Sequence, residues 1–170
     1  DLMAQSKGGL CYFDRLNGKF EKYFWPFLDI GLAIVPTGKK VATHEHLGSL
    51  TSISTESFED SVEQVYAALQ TVDSGAFVEG VSKFSEQLKQ KALVFDFTSE
   101  ILTALKKCRG VLAAKGCGAL GADMVLIVYQ KEPGVLKNME SFLAGMDLRI
   151  SCTEMDLSGG LEIRYGDIWL

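Results

Sequence analysis

The chain has 170 residues, 47% hydrophobic and 23% charged, with a formal net charge of -5; this allows one well-buried core and is ordinary globular composition. The acidic balance, with Lys19, Lys22, Lys39, Lys40, Lys106 and Lys107 scattered rather than gathered into a stripe, argues against nucleic acid as a partner. No run of about eighteen apolar residues suggests a membrane span, and Cys11, Cys108, Cys117 and Cys152 show neither a C-x-x-C pair nor zinc-ligand spacing, which fits a reduced, cytoplasmic compartment.

The chain opens "DLMAQSKGG" with Asp1 rather than Met, and a strand-like run follows almost at once. The expectation is a portion of a longer protein. Next, Gly8–Asp14 and Lys19–Phe27 flank "RLNGK", and Asn17-Gly18 between β-rich runs is a strong hairpin signal. Ile30 to Val35 is apolar without alternation, as expected of a central strand buried on both faces, and Pro36 with Thr37-Gly38 stops it. Helical spacing then takes over. Ser54-Thr55 offer N-caps for a helix carrying Phe58, Val62, Val65, Tyr66 and Leu69. A second helix is expected from Asp73-Ser74, with Phe77, Val81, Phe84 and Leu88 on one face. A third follows Thr98, turns Ile101, Leu102, Leu105 and Cys108 inward, and stops at Gly110.

The stretch "VLAAKGCGALGADMVLIVYQ" reads as a strand over Val111–Ala114, a glycine loop, and a strand over Asp123–Gln130. Pro133 suits the first position of a short helix through Val135, Leu136, Met139, Phe142 and Leu143, ended by Gly145. "MDLRISCTEM" supplies a last sheet strand, and "SGGLEIRYGDIWL" a turn and an apolar tail. From Ile30 the order is strand, helices, strand, strand, helix, strand. That is an α+β, ferredoxin-like β-α-β-β-α-β sandwich with extra helices in the first crossover and an N-terminal hairpin, forming a single domain over residues 1–170.

Gly116, Gly118 and Gly121 are compatible with a hairpin turn that needs positive φ. They are equally compatible with a surface where the backbone comes close to a ligand. His44 and His46 in "THEH" sit at i, i+2 with no evident third ligand, so a polar turn is preferred and no metal site is expected. Lys39 and Lys40 form either a solvated basic turn or a contact to an anionic substrate group. Asp123, beside the loop, suits hydrogen bonding to local backbone N–H groups, and Trp25 and Trp169 suit core or interface anchoring.

Two separated stretches share one resemblance. "DLMAQSKGGLCYFD" resembles the segment after Ser-Gly in the Ser-Gly-x-Asp motif of GHMP-type small-molecule kinases, a superfamily that includes galactokinase, homoserine kinase, and mevalonate and phosphomevalonate kinases. There an Asp precedes a short helical stretch and a Gly-Gly that opens a strand, and Asp1, Gly8 and Gly9 match those intervals. "KGCGALGAD" resembles the late glycine-rich motif of the same superfamily, with Lys115 where Thr or Ser is usual and Ala119 and Leu120 interrupting the glycines. "PTGKKVATHEHL" resembles the segment after the first strand of the C-terminal domain in the mevalonate-type branch.

The resemblance implies the C-terminal, substrate-side domain of an ATP-dependent kinase that transfers the γ-phosphate to a hydroxyl or phosphate acceptor. It implies Asp1 as catalytic base or orienting group, and Lys115, Gly116, Gly118 and Gly121 as a substrate or phosphate loop, with Lys39 a further candidate contact. ATP and Mg2+ are implied for the intact protein. The superfamily's nucleotide-binding motif lies in an N-terminal domain and has no counterpart in these residues, so the chain alone is expected to be inactive and to hold neither tightly. The implied partners are a small-molecule substrate and that N-terminal domain. An apolar face left open by its absence leads to an expectation of self-association. The alternative is a non-catalytic ferredoxin-like module that binds a ligand or another protein.

Overall fold

In the computed structural model, the first element is a short helix, α1 (Leu2–Lys7), closed by a hydrogen bond from Gly8 N to Ala4 O at 2.8 Å. The structure describes residues 2–39, 56–118, 123–157, 159–160, 164–165 and 168–169. They fall into two units, Asp1–Pro26 with Glu154–Leu170, and Phe27–Thr153.

In the first unit, Gly8-Gly9 lead into β1 (Leu10–Asp14), which pairs antiparallel with β2 (Lys19–Tyr23), Asp14 opposite Lys19. The connection is therefore four residues long rather than the two-residue turn that Asn17-Gly18 favours. Asp14 shapes it: its carboxylate accepts from Leu16 N at 2.9 Å and from Asn17 N at 3.2 Å. These bonds, first among them that of the Asn17 side chain, hold the Asp14 carboxyl below its ordinary pKa. Lys22 Nζ donates to Lys7 O at 2.5 Å and to Gly159 O at 2.8 Å, linking the end of α1 to the residues after the hairpin.

The second unit is built on β3 (Ile30–Pro36), β4 (Val111–Cys117), β5 (Met124–Gln130) and β6 (Cys152–Thr153). Their order across the sheet is β4-β5-β3-β6, and each neighbouring pair is antiparallel. Counted from Ile30, this places the fourth strand beside the first and the third between the first and second, the arrangement of a split β-α-β-β-α-β unit. The crossover from β3 to β4 carries three helices, α2 (Glu56–Thr71), α3 (Ser74–Gln90) and α4 (Asp96–Leu105), and α5 (Val135–Ala144) joins β5 to β6. The ferredoxin-like α+β reading holds.

Alternation along β3 and β5 sends Ala33, Val35, Val125, Ile127 and Tyr129 to one face, where they form a core with Ile101, Leu102 and Leu105 of α4 and Met139 and Leu143 of α5. Leu32 and Val128, on the other face, are buried too. As expected of an unbroken apolar run, β3 is an interior strand covered on both sides.

Several element boundaries differ from the sequence reading. Helix α4 starts at Asp96, before Thr98, with Phe95 at the N-cap and no side-chain cap bond. Pro133 stands ahead of α5, because Gly134, at φ +84°, forms the N-cap between it and Val135. The expected strand in "MDLRISCTEM" is reduced to Cys152–Thr153, which pair with Ile34 and Ala33 and give way to a 3-10 turn at Glu154–Asp156.

Candidate functional site

The β4–β5 connection meets the end of β3 at one edge of the second unit. Thr37 N donates to Asp123 O at 3.0 Å, and the Thr37 hydroxyl lies 3.1 Å from both Asp123 O and Lys39 O. Lys39 N donates back to Thr37 Oγ1 at 3.3 Å. These bonds fix the backbone at Asp123, where the glycine segment ends, and Thr37 is itself buried. The Lys39 ammonium stands 5.2 Å over the Phe97 ring, and Phe97 stacks on Phe95 at 5.7 Å. The start of α4 thereby supplies an aromatic floor beneath the Lys39 ammonium, a favourable but modest placement for an exposed lysine.

The glycines play different parts. Gly116 is a strand residue, buried and paired with Val125, so β4 runs three residues past Ala114 and this glycine is not in the loop. Gly118 is the first loop residue, exposed at φ +69°, where a Cβ would stand 3.0 Å from Asp123 Oδ2. The turn closes tightly over the Asp123 side chain because residue 118 has none. Gly121 lies outside the described residues, as do Asp1, Lys40, His44 and His46.

Lys115 also belongs to β4. Its ammonium sits 3.2 Å from Cys117 Sγ and 3.3 Å from Gly116 O, and 4.9 Å over the Phe84 ring of α3. The side chain is thus folded against α3 rather than extended ahead of the turn. Sequence reasoning had Phe84 as a core position and Cys117 as a small hydrophobe; their joint hold on Lys115 is a tertiary arrangement with no sequence signal. Thr37 and Phe97 were missed as well, although the expected turn at Thr37-Gly38 marked the right place.

Among the described residues, no three of His, Cys, Asp and Glu come together as a metal site. The described part of the chain therefore offers no ready set of ligands for Mg2+. No helix of the described residues is long and apolar enough to cross a membrane.

No protein-family model matches the sequence, and neither does any curated protein. Solved structures do match. The phosphomevalonate kinase of Streptococcus pneumoniae, in complex with phosphomevalonate and AMPPNP, superposes with a TM-score of 0.66 at 16% identity, over 79% of this chain and 42% of that one. The mevalonate kinase of L. major, in complex with R-mevalonate, gives 0.64 at 18% identity, over 81% and 45%. The galactokinase of Lactococcus lactis, complexed with galactose, gives 0.59 at 14% identity, over 86% and 50%. This chain spans half or less of the length of these kinases, and identities this low establish fold. The chain accordingly has the fold that these small-molecule kinases of the GHMP type carry over half or less of their length.

Proposed function

We propose that this chain is the C-terminal, substrate-side domain of an ATP-dependent small-molecule kinase that transfers the γ-phosphate of ATP to a hydroxyl or phosphate acceptor in the cytoplasm. One observation carries the reading. The split β-α-β-β-α-β sheet, with three helices in its first crossover, carries a tight glycine turn at Gly118, linked through Asp123 and Thr37 to Lys39, on the fold shared with kinases solved with their substrates.

Phosphoryl transfer asks little covalent chemistry of a protein; it needs positioning, charge neutralisation and handling of the acceptor proton. In this reading the backbone around Gly118 and Gly121 approaches the substrate and the transferred phosphate and offers N–H donors, while Gly116 stays paired in β4. Lys39 supplies positive charge beside the turn. Lys115, held by Phe84 and Cys117, shapes the wall of the cleft instead of reaching into it. Asp1 accepts or orients the acceptor's proton. ATP and Mg2+ are bound through an N-terminal domain, which is the chain's main partner. The four free cysteines support a reducing compartment.

Isothermal titration of the 170-residue chain with Mg-ATP is expected to show no binding at micromolar concentration. Tight nucleotide binding by the chain alone would overturn the assignment to a substrate-side domain. The codons upstream of Asp1 are expected to read Ser-Gly-x, with a Gly/Ser-rich phosphate loop further back; an open reading frame that starts at Asp1 would sink the kinase reading.

A further inference from the structure

A cavity of about 250 Å³ opens between α3, α4 and the outer edge of β4. It adjoins Val111–Ala114, the first residues of β4, whereas Gly118 follows the last, so it is separate from the glycine turn. Strand β4 is the outermost of the sheet, and its register with β5 shifts between Val111 and Ala113, leaving Leu112 with no cross-strand partner. A bulge of this kind bends an edge strand and commonly borders a site.

The walls divide by chemistry. Leu102, Val111 and Ala113 give an apolar floor, and Ser82 and Ser85 of α3 add hydroxyl-bearing side chains. Glu86, Lys89 and Lys106 form the charged rim, where Glu86 Oε1 lies 3.5 Å from Lys89 Nζ and 3.4 Å from Lys106 Nζ. Both distances are long against the 2.7–2.9 Å of a strong charge-assisted pair. Two ammonium groups thus share one carboxylate oxygen loosely, and the rim carries one positive charge in excess. Burial acts to raise the Glu86 pKa, but the two lysines outweigh it and hold the carboxyl below its ordinary value, so Glu86 stays ionised at neutral pH.

The excess positive charge selects an anion and disfavours a cation, and the apolar floor penalises a dianion, with its larger desolvation cost, more than a monoanion. At roughly 30 Å³ per water, the volume equals about eight waters, room for a ligand of about six to nine non-hydrogen atoms. We infer that this cavity binds a small aliphatic monocarboxylate, its carboxylate between Lys89 and Lys106 and its alkyl body on Leu102, Val111 and Ala113. The anion competes with Glu86 for the two lysines, whose existing bonds are too long to hold them firmly.

The test is a two-dimensional amide NMR titration of the 170-residue chain with hexanoate, alongside inorganic phosphate and hexylamine. Hexanoate is expected to give saturable shifts at Ser82, Ser85 and Leu112–Ala114. Lys106→Met, at an exposed position, is expected to weaken this binding at least about tenfold, as loss of a hydrogen bond to a charged group does. Glu86→Gln is expected to tighten it severalfold by removing the competing carboxylate. Absence of saturation, equal or tighter binding of phosphate or hexylamine, or hexanoate binding indifferent to both variants would overturn the inference. The site does not depend on the kinase reading, and failure here leaves that reading untouched.

Discussion

Gly31 stands opposite Tyr129 in the β3–β5 register, and a Cβ at that position would come within 2.7 Å of Tyr129 Cε1. The tyrosine belongs to the buried core, and its ring occupies the volume a side chain at residue 31 would need. Gly31→Ala is expected to cost about 1–3 kcal/mol, the range for overpacking a well-filled core, measured by urea unfolding; a change under about 0.5 kcal/mol would contradict this packing. Thr98 poses the opposite case. It is fully buried, and its hydroxyl has no hydrogen-bond partner among the described residues. Thr98→Val keeps the shape and removes the desolvated oxygen, so stability is expected to hold or rise by up to about 1 kcal/mol. A clear loss in the same urea assay would show that the hydroxyl has a structural use.

The helices show why some boundaries were legible and others were not. Asp73 was read as the start of α3, and its carboxylate accepts from Ala76 N at 2.9 Å, a local bond between near neighbours that a short sequence window contains. Asp73→Ala should cost about 1 kcal/mol, visible as a lower urea midpoint with unchanged slope; no shift would mean the cap contributes nothing. Thr98 looked like a similar start for α4, yet it lies inside the helix because its neighbours pack so as to bury it. That outcome depends on the sheet beneath and not on local residue type. Gly116 misled for the same reason: glycine suggests a loop, whereas pairing with Val125 keeps it in β4. The position of the glycine turn could be read from the sequence. The seating of Lys115 on Phe84 could not, since those residues are 31 positions apart and meet only in the folded chain.

At the scale of the whole molecule, several large apolar side chains face solvent: Leu28 at 91% exposure, Met155 at 81% and Phe24 at 66%. Where such side chains gather into one patch they favour association. The chain is expected to form dimers at micromolar concentration in sedimentation velocity, and a monomer at all concentrations would count against this. The chain matches half or less of the length of the kinases that share its fold, so the proposed activity is tested on the protein translated from the complete open reading frame. The measurement is ADP release from Mg-ATP in the presence of mevalonate, phosphomevalonate, homoserine or galactose. Acceptor-dependent ADP release is expected with at least one of them, reduced about a hundredfold or more by Asp1→Asn, as for loss of a general base. ADP release at the acceptor-free rate with all four would contradict it.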